Sequence, residues 1–430
     1  MKNLAFLLII STFAERLVLP ISLGGEVFNL KLTQILLFAS IIVFLFKDLT
    51  QQKQLFRFDK FDILITLYFL TNLFSSIIVA RDFNSVKGSL VVLSYVLIYF
   101  TTKRLIEQYY GVNDLMSLLN KANFVSIVFG LLSFAFTITS GQRSFGVALG
   151  HLKNGIPSIK SLSWEPNLFA IITGSLFLIN LLVYIQKKGG SFIWLLLQFI
   201  AIVLSFTRSV YLSIIICIVM LMYFAKGKVK KGFFQLMVLS IIPVFILLIA
   251  FNDSLNIQKV IIERVAGLSD FDQGSSVTRL SAYELGLEEF KQSPLIGKGT
   301  MSANTKVYHE YKNEYVDISG SEGWLTGLWI QSLHDTGIVG MLVVVLIFRY
   351  LVFENLKIYR LIMNYDSSSI YFLGFALSNV LIFISTNISS IMWSPFVYVF
   401  WAINLSMLRF VKYKFLMVNN ENWYRREMVC

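Results

Sequence analysis

Long apolar runs alternate with shorter polar gaps along this chain, and the lysines and arginines are concentrated in every second gap. A helix needs roughly 20 apolar residues to cross about 30 Å of hydrocarbon, where its backbone satisfies its own hydrogen bonds. The runs are continuously apolar, whereas strands of a β-barrel alternate. We therefore predict an all-α, polytopic integral membrane protein, a single membrane domain over residues 1–430 with about twelve transmembrane helices. The predicted spans are residues 3–23, 27–46, 61–80, 88–102, 121–140, 167–185, 190–206, 209–225, 232–251, 337–353, 368–387 and 392–412.

Composition agrees with a lipid environment. Hydrophobic residues make up 56% of the chain and charged residues 14%, where about 25% is usual for soluble domains. The formal net charge of +12 comes from basic residues that flank apolar runs. Such residues are typical topology signals, so the bilayer is the expected partner and nucleic acid is not. The two cysteines are too few for a disulfide framework, and the three histidines lack a metal-binding spacing, so no metal site is predicted.

The distribution of positive charge predicts the orientation. Because lysine and arginine favour the cytoplasmic side, both termini are expected in the cytoplasm. Two longer segments then face outward, an outer loop at residues 141–166 and a long extracytoplasmic loop at residues 252–323. Residues 281–290 in the long loop are predicted to form a short amphipathic helix. Residues 324–333 are predicted to form an amphipathic segment that leads into the tenth span.

Arg208 is the most unusual charge, because it lies between two apolar runs with no glycine or proline nearby. An arginine at membrane depth costs a few kcal/mol and needs a partner or an aqueous cavity. It is either a snorkelling residue at a tight turn or a binding group. A guanidinium group suits phosphate oxygens, to which it donates paired hydrogen bonds.

Further cations occur in the predicted outer segments: Arg143, Arg264, Arg279 and Lys298. The alternative interpretation of these cations is that they are solvated loop charges. Together they depart from the positive-inside rule, which favours an anionic ligand such as a pyrophosphate on the outer side. The sequence Gly297-Lys298-Gly299 lacks the rest of a phosphate-binding P-loop, so no ATP chemistry and no cofactor are predicted.

Two other residues are candidates for proton transfer. Glu165 precedes Pro166 at the start of the sixth span, where a carboxylate caps the positive end of a helix. The alternative is a general base that takes a proton from a sugar hydroxyl. His334 precedes the tenth span, where a lone histidine is more often structural.

Four motifs in a fixed order resemble those of the bacterial O-antigen polymerase and O-antigen ligase superfamily. They are SWEPNLFA at 163–170, SFTRS at 205–209, TRLSAYELGLEEFKQSPLIGKG at 278–299 and HDTGIVG at 334–340. The resemblance covers residues 140–350; the remaining spans resemble the family only in hydropathy and topology.

The resemblance implies a metal-independent glycosyltransferase of the bacterial cytoplasmic (inner) membrane, with a glycan on undecaprenyl pyrophosphate as donor. The acceptor is another lipid-linked repeat unit in a polymerase, or lipid A-core in a ligase, and a chain-length regulator is an expected partner. By motif, Arg208 and Arg279 match the family's arginines, and Arg143 is a looser match. These arginines suit a pyrophosphate leaving group that gains charge.

One departure from the motifs of the family favours a polymerase. Ligases carry a histidine about eleven positions before the G-x-x-G of the next span, and that position here is Thr326. The general base therefore stays unassigned between Glu165 and His334. A flippase or other transporter is the alternative from another class, although the two halves of this chain are unrelated and its charges gather in the predicted outer segments.

Overall fold

A computed structural model describes residues 2–23, 26–51, 58–140, 149–153, 156–186, 191–224, 275–303, 306–309, 314–317, 325, 327–363, 368–387 and 394–427. Within these ranges the chain forms helices joined by turns and three two-stranded antiparallel hairpins. The helices are α1 (Lys2–Ser11), α2 (Leu32–Gln51), α3 (Lys60–Ser75), α4 (Phe83–Tyr109), α5 (Val112–Ser140), α6 (Pro166–Ile185), α7 (Phe192–Leu204), α8 (Arg208–Phe224), α9 (Ser275–Gln292), α10 (Leu328–Ile362), α11 (Ser369–Thr386) and α12 (Pro395–Glu427). The strands are β1 (Val18–Leu23), β2 (Glu26–Lys31), β3 (Leu149–Lys153), β4 (Ile156–Ile159), β5 (Lys306–His309) and β6 (Glu314–Asp317).

The helical membrane class predicted from the sequence fits this architecture, but the count of twelve spans is not confirmed. Among the described residues, six helical segments are long and apolar enough to cross a membrane. They are Lys60–Ala80, Phe83–Glu107, Asp114–Ser140, Pro166–Ile185, Leu328–Ile362 and Ser369–Thr386. Four shorter apolar helices accompany them, and the predicted span at 232–251 lies outside the described residues.

The two N-terminal spans were predicted with the wrong local structure. The predicted span 3–23 is helical only to Ser11, after which the chain turns and enters β1. Pro20 cannot continue a helix, because it lacks a backbone donor and clashes with the preceding turn. The predicted span 27–46 likewise begins in β2, and its helix starts at Leu32. A hairpin therefore stands where the sequence suggested a simple helix-to-helix connection.

Local signals explain the ends of α3. Asp59 accepts hydrogen bonds from the backbone of Phe61 and Asp62, and the Asp62 side chain accepts one from the backbone of Asp59. This reciprocal capping box satisfies donors that the helix itself leaves unpaired. The helix then passes into a π-helical turn at Ser76–Ala80, which ends at Arg81 in the left-handed conformation. Such π-helical turns are frequent at functional sites.

Buried amide side chains hold the helices of the bundle together. Asn355 of α10 and Asn404 of α12 exchange two hydrogen bonds of 2.8 and 2.9 Å. Asn379 of α11 accepts a 3.0 Å bond from the indole nitrogen of Trp401. Hydrogen bonds between helices in lipid contribute about 0.6–2 kcal/mol each, and the direction of each bond fixes the register of the helices.

Ion pairs mark one end of the bundle. Lys103 of α4 is buried and donates to Asp59 at 2.6 Å and to Asp62 at 2.8 Å, at the start of α3. Arg409 pairs with Glu107, and Lys412 pairs with another glutamate, at the same end. Lys103 and Lys412 flank predicted spans on the side that the charge distribution assigns to the cytoplasm. The opposite end, where α3 ends and α4 begins, is called the loop end below, and its extracytoplasmic orientation stays a prediction.

Candidate functional site

At the loop end, the segment that follows α9 is locked to a break in α10. Residues 293–303 and 334–339 form what we call the clasp. Helix α10 is interrupted at Gly337, which has φ 64° and ψ −163°, so a short helix precedes the long span. The sequence predicted the start of the tenth span at this residue. Four backbone hydrogen bonds join the two segments of the clasp. They run from Lys298 N to His334 O at 2.7 Å, Gly299 N to Asp335 O at 3.1 Å, Ile338 N to Pro294 O at 2.9 Å and Val339 N to Leu295 O at 3.2 Å.

Two glycines allow the backbones of the clasp to come this close. Gly337 has no room for a side chain, because a Cβ there would overlap the Leu295 carbonyl. Gly297 has φ 73°, and a Cβ there would overlap the backbone between Asp335 and Thr336. Positive φ and close backbone approach both require glycine. The glycines in PLIGKG and HDTGIVG therefore have a common physical cause, a contact between the two motifs.

The clasp is also anchored to α3 and α4. The Thr300 backbone donates to the Ser76 hydroxyl at 3.1 Å, and the Thr300 hydroxyl donates to Asn72 Oδ1 at 2.8 Å. The Ser85 hydroxyl donates to Ser76 at 2.8 Å. Ser76 opens the π-helical turn, so this irregular turn presents its hydroxyl to the loop. Buried hydroxyls that bond across segments hold the loop in one position.

His334 lies between two carboxylates inside the clasp. Its Nδ1 is 2.8 Å from Asp335 Oδ1, and its Nε2 is 2.6 Å from Glu289 Oε2, at the last turn of α9. The imidazole is fully buried, whereas the Glu289 side chain is 20% exposed. Asp335 is buried and also accepts a 3.1 Å hydrogen bond from the Gln331 amide. The three acidic and basic groups form a chain from the interior of the bundle to its surface.

Lys298 supplies a cation beside this chain. Its backbone belongs to the clasp, and its Nζ donates to Gln292 Oε1 at 2.5 Å. The ammonium group is thereby directed toward the end of α9, which also carries Glu289. Lys298, predicted as a binding residue, and His334, predicted as a catalytic residue, therefore belong to one structural unit.

Arg208 and the helix that carries Arg279 lie at the same end of the bundle. Arg208 is the first residue of α8, whose Ser213 is 2.8 Å from Ser385 near the end of α11. Asn387, just beyond α11, accepts a 2.7 Å hydrogen bond from the Tyr283 hydroxyl of α9. Tyr283 follows Arg279 by one helical turn. The predicted helix at 281–290 is confirmed as part of α9, which begins earlier, at Ser275.

Glu165 belongs to a different cluster. It occupies the N-cap position of α6, where its side chain makes no capping hydrogen bond. Its charged neighbours are Lys160 and the buried Glu15. Arg16 is close to Lys160, and its guanidinium lies 5.8 Å from the centre of the Trp164 ring. Partial burial and the nearby arginine lower the pKa of Lys160, against the opposing effect of Glu165.

Three positions singled out by sequence, Arg143, Arg264 and Thr326, lie outside the described residues. The residue that sequence reasoning missed is Glu289. Its contact with His334 spans 45 positions of the chain, and nothing local distinguishes Glu289 from the neighbouring glutamates of α9, Glu284 and Glu288. The adjacent His334-Asp335 pair just before a glycine break was the only available hint.

The apolar helices define a multi-span membrane protein with a structured loop closed onto its bundle. Comparison with family models gives one finding of direct relevance, a match of residues 192–345 to the O-antigen ligase family. The predicted resemblance is thereby confirmed: this segment, about a third of the chain, belongs to the O-antigen ligase and polymerase superfamily. Members are glycosyltransferase-like enzymes. No curated protein matches the chain.

The matched segment coincides with much of the site. It runs from the start of α7 into the span that follows the clasp, and so includes α8, α9 and the clasp. Arg208, Arg279, Lys298 and His334 all fall inside it, and Glu289 does too. Glu165 and its neighbours precede it.

Proposed function

We propose that this protein is a polysaccharide polymerase that joins undecaprenyl-pyrophosphate-linked repeat units at the outer face of the bacterial cytoplasmic membrane. The glycan on one lipid carrier is transferred to a hydroxyl of the glycan on another. The product is an O-antigen, a capsule or an exopolysaccharide. The donor supplies its own leaving group, so neither a metal nor a nucleotide is required by this scheme.

One observation carries the proposal. Inside the family-matched segment, the clasp joins a cation, Lys298, to a buried chain of ionisable groups that reaches the surface at Glu289. Buried ionisable groups are costly unless they are paired, and clusters of them are frequent at functional sites. A lipid-linked glycosyl transfer needs positive charge for the departing diphosphate and a proton acceptor for the attacking hydroxyl. The clasp offers both kinds of group next to each other.

The arginines complete the proposed diphosphate site. In the proposal, Arg208 and Arg279 bind the pyrophosphate oxygens and stabilise the charge that develops as the sugar leaves. The contacts from α8 through α11 to α9 support this assignment, because they bring the two arginine-bearing segments to the loop end. Lys298 adds a third cation, and Arg143 and Arg264 remain proposed binding residues. Fixed cations at such a site cost little reorganisation during the reaction.

Sequence favours a polymerase over a ligase, because the ligase histidine position is Thr326 here. The family match is compatible with either activity. We further propose that the Glu165 cluster contacts the glycan. An exposed tryptophan with charged neighbours suits a sugar, whose apolar face stacks on the ring while its hydroxyls bind the charged groups.

The test is complementation of a deletion strain with variants Arg208→Ala, Arg279→Ala and Lys298→Ala, followed by gel analysis of the surface glycan. Each variant is expected to abolish long chains while the protein still inserts into the membrane. Lys291→Ala is the matched control, because Lys291 is an exposed lysine near the end of the same helix, α9. Normal chain lengths in all three variants would remove the proposed site.

The identity of the accumulated glycan separates the candidate functions. A single repeat unit attached to its final acceptor indicates loss of a polymerase. An acceptor without any glycan indicates loss of a ligase. Repeat units trapped on the cytoplasmic face of the membrane indicate loss of a flippase.

A further inference from the structure

The position of His334 in the clasp restricts what its imidazole can do. Both ring nitrogens are within hydrogen-bonding distance of carboxylate oxygens, Nδ1 of Asp335 and Nε2 of Glu289. The ring itself is fully buried. A general base needs a free lone pair within about 2.6–3.2 Å of the hydroxyl proton. His334 can meet this requirement only if one of its two short hydrogen bonds breaks, so its geometry suits a residue that orients a neighbour.

Glu289 is the member of the chain that meets solvent. Its side chain is 20% exposed, whereas the side chains of Asp335 and His334 are 2% and 0% exposed. Only Oε2 of Glu289 has a hydrogen-bond partner within the part of the chain that the structure describes. Among the described residues no group occupies Oε1, and in the proposal this oxygen accepts the proton. A carboxylate fixed by a histidine on one oxygen and open on the other has the arrangement that proton abstraction requires.

The surroundings of Glu289 place it beside the proposed leaving-group site. It lies at the last turn of α9, near Gln292, which holds the Lys298 ammonium. Arg279 belongs to the same helix but lies about 15 Å earlier along its axis, so Lys298 is the cation that the structure brings to this end of α9. A hydroxyl activated at Glu289 would attack close to the Lys298 ammonium, which in the proposal receives the diphosphate.

We propose that Glu289 is the general base of the glycosyl transfer, with His334 and Asp335 as positioning residues; this inference rests on the proposed function. The acceptor hydroxyl gives its proton to Glu289 Oε1 while its oxygen forms a bond to the anomeric carbon. The bond between that carbon and the diphosphate oxygen breaks, and the electron pair leaves with the lipid diphosphate. The cations of the site stabilise that charge. His334 keeps Oε2 occupied and so fixes which oxygen faces the acceptor.

The first experiment measures single-turnover and steady-state kinetics of purified protein in nanodiscs with lipid-linked repeat units isolated from the deletion strain. Glu289→Gln keeps the size of the side chain and an acceptor oxygen for His334, but it removes the basic carboxylate. Its kcat is expected to fall by about 10²–10⁴-fold, with KM within about threefold of the parent. The control is Glu288→Gln, the same change at an exposed neighbour on α9, which should keep the parental kcat within about twofold.

A second experiment separates catalysis from structure. Glu289→Ala is assayed with added formate, a small carboxylate that can occupy the vacated space and accept the proton. A rise in turnover with formate for Glu289→Ala, and none for His334→Ala, supports the assignment. The parent protein is also mixed with donor alone and analysed by mass spectrometry. A glycosyl group attached to Glu289 would identify this residue as a nucleophile and overturn its assignment as a base.

The outcomes also distinguish this inference from the proposed function. Parental kcat in Glu289→Gln overturns the inference, as does absence of rescue in a Glu289→Ala protein with unchanged thermal stability. If Glu289→Gln keeps the parental kcat while Arg208→Ala is inactive in the same assay, the inference fails and the proposed function stands. If the parent protein transfers no glycan from the lipid carrier, the proposed function fails before any variant is compared.

Discussion

Gly337→Ala should open the clasp without removing any ionisable group from the site. Alanine at φ 64° and ψ −163° is in a region that is essentially reserved for glycine, at a cost of about 1–3 kcal/mol. The added Cβ would also lie 2.7 Å from the Ile296 nitrogen and closer still to the Leu295 carbonyl. Ordinary contacts begin at 3.4 Å, so the two backbones must separate by about 0.7 Å at the Ile296 nitrogen and by about 1.0 Å at the Leu295 carbonyl.

That separation is enough to break hydrogen bonds. The bonds from Ile338 N to Pro294 O and from Val339 N to Leu295 O measure 2.9 and 3.2 Å. After a shift of about 0.7 Å both exceed normal hydrogen-bonding distance, with a net loss of about 0.5–1.5 kcal/mol each. Strain and lost bonds together destabilise the closed clasp by about 2–6 kcal/mol, and each 1.4 kcal/mol is about tenfold in population. Turnover should therefore fall at least about tenfold.

The measurement is transfer of glycan between lipid-linked repeat units in nanodiscs, together with membrane fractionation and thermal denaturation of each variant. Gly111→Ala is the control, since a Cβ there meets only the Asp114 carboxylate at 3.6 Å. Gly297→Ala disrupts the same contact from the other segment of the clasp and should also lower turnover. Parental turnover and chain length in both clasp variants would refute the argument that the clasp positions the site.

Three further variants test other parts of the structure. Lys103→Met leaves Asp62 buried without its cation and should destabilise the protein by about 3–5 kcal/mol, seen as a lower Tm in detergent; Arg409→Met, at a quarter-exposed pair with Glu107, should cost about 1 kcal/mol or less. Glu165→Gln should leave Tm unchanged, because its side chain caps nothing, and should raise KM for the lipid-linked glycan several-fold with kcat within about twofold. A large fall in kcat would instead assign Glu165 to the chemistry.

The sequence predicted the features that depend on short-range patterns. The helix at 281–290 follows from amphipathic spacing and is found, and Gly337, where the tenth span was predicted to start, interrupts α10, which itself begins at Leu328. The N-terminal hairpin was missed because the apolar residues of β1 follow those of α1 closely in sequence. Hydropathy alone does not separate a short apolar strand from a helix.

The site itself could be predicted only in part, for a different reason. Lys298 was selected as a cation of a predicted outer segment and His334 for its place before the tenth span, but the pairing of His334 with Glu289 is a long-range contact between two helices. For Glu165, the position before Pro166 suggested either a cap or a base, whereas its neighbours Lys160 and Glu15 could be found only from the structure.

The family-matched segment does not complete its own site. Residues 192–345 carry the clasp and its ionisable groups, yet Thr300 of the clasp is held by Asn72 and Ser76 from the unmatched N-terminal part of the chain. The π-helical turn at Ser76–Ala80 lies where the Thr300 segment of the clasp contacts α3. A buried hydroxyl or amide that loses its partner costs about 1–3 kcal/mol. The N-terminal helices therefore act as the rigid support on which the matched segment sets its geometry, and changes at Asn72 should alter activity as changes inside the clasp do.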